Sequence, residues 1–352
     1  MDSLFQVTIK PTLACTANCK NCTPRKDLHK ELIYEKNLSF QEWEKVLSEA
    51  ALLGVKNFTI SGGEPTLYPH LVDLVKLGHG LGWQVNINSN GSMIKEKLAH
   101  ELLDAGLNSI HISIYSSTSQ IHDTIRNRAG LHAKAVEAVK IFARLAKQNK
   151  QFTLKTQTII SKDNYKDFAD ILKLHYRLGA NASAVSYLEG DFEKTSLLSK
   201  EEIIFFRQNI IPKAIKFFMG QGINSEVTLK NIFSQNIASF DNWANGIYWS
   251  RERGCPHVKR GFVLILANGD VHPCNIVEYK HEPVLGNVFK DSLTDIWQNQ
   301  IARDYRKNFH ENCNLCPMNL HFGLEYIQVG KLRCYVSSIK RRIKSMGSKH
   351  KL

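Results

Sequence analysis

Apolar and polar residues alternate along the first 190 positions in a way that switches repeatedly between two periods. Phe5 to Thr12 reads as a strand. Ser39-Phe40-Gln41-Glu42 is a capping box, with serine at the N-cap and glutamate three residues on, and it opens a helix running to Leu53. Asn57 to Ser61 is a second strand that ends at two glycines. A helix follows over 70–81, then a strand over Gln84 to Ser89 running into Asn90-Gly91. The alternation continues with helix 93–105, strand Ser109 to Tyr115, helix 132–148, strand Phe152 to Ile160, helix 165–177 and strand Ala182 to Leu188. Six strand–helix units in succession predict an α/β fold with a parallel sheet and helices outside, curved as a partial TIM-like barrel.

Beyond this the pattern changes. Residues 191–250 read as helical, with Glu201 to Met219 strongly amphipathic and aromatic residues such as Trp243 and Trp249 after it. They are expected to pack across the barrel mouth, as core more than as a substrate wall. Phe262 to His272 reads as a hairpin turning at Asn268-Gly269. The organisation expected is a barrel over 1–190, a helical connector over 191–250, a small cysteine-bearing domain over 251–335 and a basic tail over 336–352.

Composition narrows the class without choosing a function. With 352 residues, 43% hydrophobic and 22% charged, the chain is an ordinary globular one. No apolar stretch is long enough to span a bilayer, and the N-terminus lacks a signal peptide's apolar segment, so a cytoplasmic protein without an integral membrane segment is expected. The net charge is +13, and six of those Lys and Arg lie in the last fourteen residues, Ile339 to Leu352. That concentration reads as a solvated, frayed end, ahead of the functional readings of contact with nucleic acid, an acidic partner or an anionic membrane surface, and nucleic acid is not the expected partner.

Eight cysteines in such a compartment point to metal binding, not disulfides. Cys15, Cys19 and Cys22 form a C-x3-C-x2-C run directly after the first strand. Three thiolates this close can hold three irons of a cubane [4Fe–4S] cluster and leave the fourth open. A structural zinc wants four ligands, and here the nearest imidazole is His29. In barrels of this kind chemistry sits at the C-terminal ends of the strands. The cysteine run follows strand one, Gly62-Gly63-Glu64-Pro65 follows strand two, Ser89-Asn90-Gly91 follows strand three, and Ser113 with His122-Asp123-Thr124-Ile125-Arg126 follows strand four.

The cysteine run and the Gly-Gly-Glu-Pro turn, in that order and at that distance, resemble the radical S-adenosylmethionine (radical SAM) superfamily. The resemblance implies a six-unit open barrel. It also implies that Cys15, Cys19 and Cys22 hold a SAM-binding [4Fe–4S] cluster and that Gly62 and Gly63 let the backbone approach the SAM amino group. Glu64 would hold that loop, Ser89 and Asn90 would flank the cofactor, and Ser113 and Arg126 would meet the ribose and the methionine carboxylate, with Arg128 a competitor for the carboxylate. His122 and Asp123 read as caps of the segment that follows. The family often has an aromatic residue before the third cysteine. Here it is Asn21, and Tyr115, Thr158 and Leu188 are positional replacements beside adenine.

Farther on, Cys255, Cys274 and the pair Cys313-x2-Cys316 resemble the SPASM/twitch extension of radical SAM enzymes, with enough cysteines for one auxiliary [4Fe–4S] cluster. The same four could hold zinc on residue type alone. Cys334 is left over: an alternative ligand, a hydrogen-atom donor to a substrate radical, or a buried small apolar residue. The implied activity is reductive cleavage of SAM to a 5′-deoxyadenosyl radical that abstracts a hydrogen from substrate. A net oxidation of a peptide or natural-product precursor is favoured over redox-neutral epimerisation. A carbohydrate or aminosugar dehydrogenase or epimerase is the alternative, and an iron–sulfur or zinc protein without turnover is the alternative of another class. The expected partners are a small-molecule or peptide substrate and an electron donor such as flavodoxin or ferredoxin. With fourteen residues before Cys15, no N-terminal leader-recognition domain is expected.

Overall fold

The computed structural model describes residues 3–20, 22, 37–187, 196–233, 258, 261–274, 283–312 and 325–330. Six parallel strands succeed one another in sequence order: β1 (Gln6–Lys10), β2 (Asn57–Ile60), β3 (Gln84–Ser89), β4 (Ser109–Ser113), β5 (Thr153–Ile160) and β6 (Ala182–Tyr187). Between them lie helices α1 (Phe40–Leu52), α2 (Leu71–Gly80), α3 (Glu96–Asp104), α4 (Ser119–Arg126), α5 (Leu131–Ala146) and α6 (Phe168–Arg177). Each strand pairs with the next, which is the arrangement of an open barrel. The expected elements are present with ends shifted by a few residues. The capping box at Ser39 and Glu42 is formed in both directions and starts α1.

Two elements differ from the sequence reading. Helix α4 was expected only as a capping run, yet its eight residues are helical and end at Asn127, which takes a left-handed φ of 46°. Residues Tyr165–Asp167 form a separate 3-10 turn ahead of α6.

Strand alternation divides the sheet into two faces. Val7, Ile9, Phe58, Ile60, Val85, Ile87, Ile110, Ile112 and Leu154 join the helices in one continuous core, with Trp43 of α1 and Phe142 of α5 fully buried in it. The alternate residues therefore face the concave side, and on β1 to β5 most of them are polar: Thr8, Lys10, Asn86, Asn88, His111 and Lys155 among them. A closed TIM barrel fills that space with branched apolar side chains. In this open one the described concave face of β1 to β5 is mostly polar, and the space over it is called the chamber.

The sheet continues past the six strands. β7 (Phe262–Leu266) pairs parallel with β1, and β8 (Asp270–His272) returns antiparallel through the expected turn at Asn268-Gly269. β9 (Gly286–Asn287) follows, and β10 (Glu325–Gln328) pairs antiparallel with β6, giving a ten-stranded sheet. The C-terminal hairpin is thus hydrogen-bonded directly to the strand that carries the cysteine run. β10 covers what would otherwise be an open sheet edge.

The region after the barrel is described over 196–233, and Trp243 and Trp249 lie outside the described residues. It forms helix α7 (Lys200–Phe205), a π-helical turn over Phe206–Ile210, helix α8 (Ile211–Gly220) and helix α9 (Glu226–Asn231). Their apolar faces build a second core with α6 and β10, in which Phe168, Phe206, Phe218, Leu229 and Ile327 are buried. The amphipathic stripe seen in the sequence is satisfied by that outer helix. Helices α10 (Leu293–Gln298) and α11 (Gln300–Asn312) complete the described elements. No described helix is long and apolar enough to cross a membrane.

Candidate active site

β1 ends at Lys10, and the chain then runs over the rim of the barrel as the cysteine loop. That loop is stitched to its neighbours through its backbone. Gly63 N–H donates to Thr12 O at 3.0 Å and Glu64 N–H to Ala14 O at 2.8 Å. On the other side Asn18 N–H and Lys20 N–H donate to Arg126 O and Ile125 O, at 3.1 and 3.0 Å. The loop is therefore held between the turn after β2 and the end of α4.

The two glycines are required by this packing. A Cβ on Gly62 would lie 2.4 Å from Thr12 O, and Gly62 also has φ +138°. A Cβ on Gly63 would lie 2.3 Å from Ala14 O and 2.4 Å from Leu13 O. The close approach that the sequence suggested for a ligand is, on these Cβ sides, an approach of the cysteine loop itself.

Glu64 is fully buried and serves as the knot of the rim. One carboxylate oxygen accepts from Thr66 Oγ1 at 2.6 Å, Thr66 N at 3.2 Å and Ser89 Oγ at 2.7 Å, and the other accepts from Asn90 N at 2.7 Å. Asn90 carries the network to the cysteines. Its Nδ2 donates to Thr16 Oγ1 at 3.0 Å and lies 3.7 Å from Cys15 Sγ. Thr16 Oγ1 is also 2.6 Å from Ser92 Oγ. Thr16 and Ser92 were not expected at the site. Nothing in their type marks them, because hydroxyls on loops are common.

Arg126 occupies the opposite wall. It is buried, its guanidinium sits 4.6 Å over the Tyr115 ring, and its Nε has no hydrogen-bond partner among the described residues. Burial opposes its charge, while Tyr115 and the thiols of Cys19, Cys15 and Cys22 outweigh that and hold its pKa above the ordinary arginine value. All three cysteines thus lie within electrostatic reach of one cation. Arg128, the competitor, is exposed beyond the end of α4. Burial raises the pKa of the Tyr115 hydroxyl. Burial likewise raises the Cys15 thiol, so an iron ligand there needs the metal to drive off its proton.

The flanking residues are structural. His122 Nδ1 accepts from Tyr115 N–H at 3.1 Å, and burial pushes its pKa down to about 3, which keeps it neutral. Asp123 accepts from Gly130 N at 2.6 Å and His132 N at 2.8 Å, capping the start of α5. Thr158 Oγ1 donates to Ile114 O at 2.5 Å. Leu188, Cys255, Cys313, Cys316 and Cys334 lie outside the described residues. Cys274 is described and buried at the end of the β7–β8 hairpin.

Among the described residues no three His, Cys, Asp or Glu side chains are close enough to share a single metal ion. A cubane differs, because it spreads its thiolates over three separate corners. The thiols of Cys15, Cys19 and Cys22, none in a disulfide and gathered on one loop beside a guanidinium Nε without a hydrogen-bond partner among the described residues, suit such a cluster with an anionic ligand beside it.

The comparisons agree with this geometry. The family model of the radical SAM superfamily matches residues 9–175, and that of an iron–sulfur cluster-binding domain, SPASM, matches residues 255–317. The chain belongs to the radical SAM superfamily. Its cofactors are a SAM-binding [4Fe–4S] cluster, an auxiliary cluster and SAM.

This radical SAM chain is 22% identical over 328 residues to an AdoMet-dependent heme synthase of Methanosarcina barkeri, covering 87% of this chain and 86% of that protein. It is 24% identical over 312 residues to a PqqA peptide cyclase of Granulibacter bethesdensis, covering 87% and 77%. Among solved structures, Streptococcus suis SuiB bound to precursor peptide SuiA superposes with a TM-score of 0.65 at 18% identity, over 97% of this chain and 74% of that one. At that identity the likeness speaks for the shared fold.

Proposed function

We propose that this radical SAM enzyme modifies a peptide or peptide-derived precursor inside the polar chamber of its barrel. The observation that carries the reading is the placement of the cysteine loop, the Glu64 knot and the unpaired Arg126 Nε on one rim, directly above a concave face lined with polar side chains. The cluster and SAM, when bound, supply a 5′-deoxyadenosyl radical able to take a hydrogen from an unactivated carbon. The protein's share is positioning and exclusion of water.

In this reading Cys15, Cys19 and Cys22 ligate the cluster. Arg126 offers its fork to the SAM carboxylate, as a planar guanidinium suits that group. Ser113, at the C-terminal end of β4, is assigned to the ribose. Glu64, Ser89 and Asn90 act one step back, by fixing the loop that holds the thiols. Cys255, Cys274, Cys313 and Cys316 are assigned to the auxiliary cluster. A fully ligated cluster suits electron transfer, which favours net oxidation, with Cys334 outside the chemistry. A flavodoxin or ferredoxin would deliver the first electron.

The PqqA peptide cyclase relative supports a peptide substrate, and so does the fold shared with a protein solved with a precursor peptide. A second reading, modification of a heme precursor, is favoured by the similarity to an AdoMet-dependent heme synthase over most of both chains. Deuterium transfer separates them. Deuterated peptides encoded beside the gene, incubated with reconstituted enzyme, SAM and dithionite, should place deuterium in 5′-deoxyadenosine. Transfer from a deuterated porphyrin precursor and from none of the peptides would replace the first reading with the second.

A further inference from the structure

The chamber floor holds a group of side chains that the rim does not use. His111 on β4 and Lys155 on β5 are register partners, so both point to the concave face. Tyr326 on β10 reaches the same place from the far edge of the sheet. Its ring stacks on His111 with centroids 5.9 Å apart, and its hydroxyl lies 3.4 Å from His111 Nε2. The other imidazole nitrogen, Nδ1, is 2.8 Å from Asn88 Oδ1, which can only accept, so Nδ1 carries the proton and Nε2 accepts from the Tyr326 hydroxyl. Asn88 is held in turn by Asn86 Nδ2 at 3.1 Å, and Asn86 Oδ1 by Ser109 Oγ at 2.7 Å. This chain of neutral groups fixes the tyrosine ring.

Lys155 is the charge in that setting. Its Nζ lies 5.1 Å from the Tyr326 ring centroid, a cation–π distance. Among the described residues no carboxylate and no hydrogen-bond acceptor engages it, and the concave positions of β1 to β6 contain no Asp or Glu. Burial lowers its pKa to about 8 and, together with Lys155, pushes that of His111 well below 6.5. A half-buried ammonium held over a ring on the concave face, among neutral described neighbours, is a site suited to an incoming anion. The concave positions of β4, β5 and β6 carry no Lys or Arg besides Lys155, and a single ammonium matches a monoanion better than a phosphate dianion.

We propose that Lys155, oriented by Tyr326 and His111, forms a subsite for a carboxylate of the substrate. This names the substrate chemistry of the chamber and rests on the proposed function, in which the chamber is the substrate site.

Competitive labelling of the wild-type holoenzyme tests it without a folding risk. The reconstituted protein is reductively methylated at pH 8 under anaerobic conditions and the labelled lysines are mapped by mass spectrometry. Three probes are compared: N-acetylglycine, its methyl ester and inorganic phosphate. Labelling of Lys155 should fall about tenfold at N-acetylglycine concentrations near ten times its dissociation constant, with surface lysines unchanged. The ester should give no protection and phosphate little. Absence of protection up to the solubility limit of N-acetylglycine, equal protection by the ester, or stronger protection by phosphate each overturns the carboxylate subsite. Formation of 5′-deoxyadenosine by the same unlabelled preparation is read in parallel. If it forms while protection is absent, the subsite falls and the radical SAM reading of the chamber stands. If protection is present and none forms, the anion site stands and the proposed function falls.

Discussion

Arg126 and Arg128 are two residues apart and chemically identical, and their surroundings give them opposite prospects. Arg126 is buried over Tyr115 within reach of three thiols, while Arg128 is exposed. Arg126→Ala should weaken SAM binding to the reconstituted protein by about 1.5–3 kcal/mol, the worth of a charge-assisted bond, and Arg128→Ala should leave it within about 0.5 kcal/mol. Titration calorimetry checks both, and equal losses would remove Arg126 from the carboxylate. The glycines give a second contrast. A Cβ on Gly63 would strike backbone oxygens of Leu13 and Ala14, whereas one on Gly80 meets nothing within 4 Å. Gly63→Ala should displace the cysteine loop and reduce the iron retained after reconstitution. Gly80→Ala should keep its iron and gain up to about 1 kcal/mol of stability from helix propensity. The types of these site residues were legible in the sequence. Their partners were not, because Thr16, Ser92 and the loop carbonyls are ordinary residues that become specific only through contacts between distant segments.

At the scale of elements, the contact between α6 and β6 carries a titration. His175 of α6 is fully buried, with Nδ1 2.9 Å from Ser183 Oγ of β6, and burial lowers its pKa from the ordinary 6.5 to about 3. The unfolded chain therefore binds a proton that the folded one refuses. The neutral-state stability is present above pH 6.5 and is lost as pH falls from there toward 3. Between pH 6.5 and 5 this one group should account for about 2 kcal/mol. Urea unfolding of the wild type and of His175→Gln at pH 7 and pH 5 measures it. A wild-type loss no larger than that of the variant would contradict the assignment. Strands β1 to β6 and most helices could be read from periodicity and from caps such as Ser39–Glu42, because those signals are local. Helix α4 escaped because eight residues with a polar start give little period to read. The outward packing of α7 to α9 escaped because an amphipathic stripe reports that a helix has a partner without naming it.

The whole molecule joins regions far apart in the chain. β7 lies on β1, so the hairpin leading to Cys274 and the strand leading to Cys15 are neighbours in one sheet. Residues Phe262 to Leu266 are buried on both faces, which their unbroken apolar run allows, but pairing across some 250 positions leaves no local trace. The result is a barrel whose C-terminal rim holds thiols, an arginine and a carboxylate knot above a polar floor. The central claim is that this rim binds a cluster and SAM and cleaves SAM reductively. Anaerobically reconstituted protein mixed with SAM and dithionite, and assayed for 5′-deoxyadenosine by chromatography and mass spectrometry, tests it most directly. The wild type should form 5′-deoxyadenosine, and the Cys15→Ala, Cys19→Ala, Cys22→Ala triple variant, still carrying iron at its auxiliary site, should form none. A fully iron-loaded wild type that leaves SAM intact, or a triple variant that cleaves it equally well, would contradict the account.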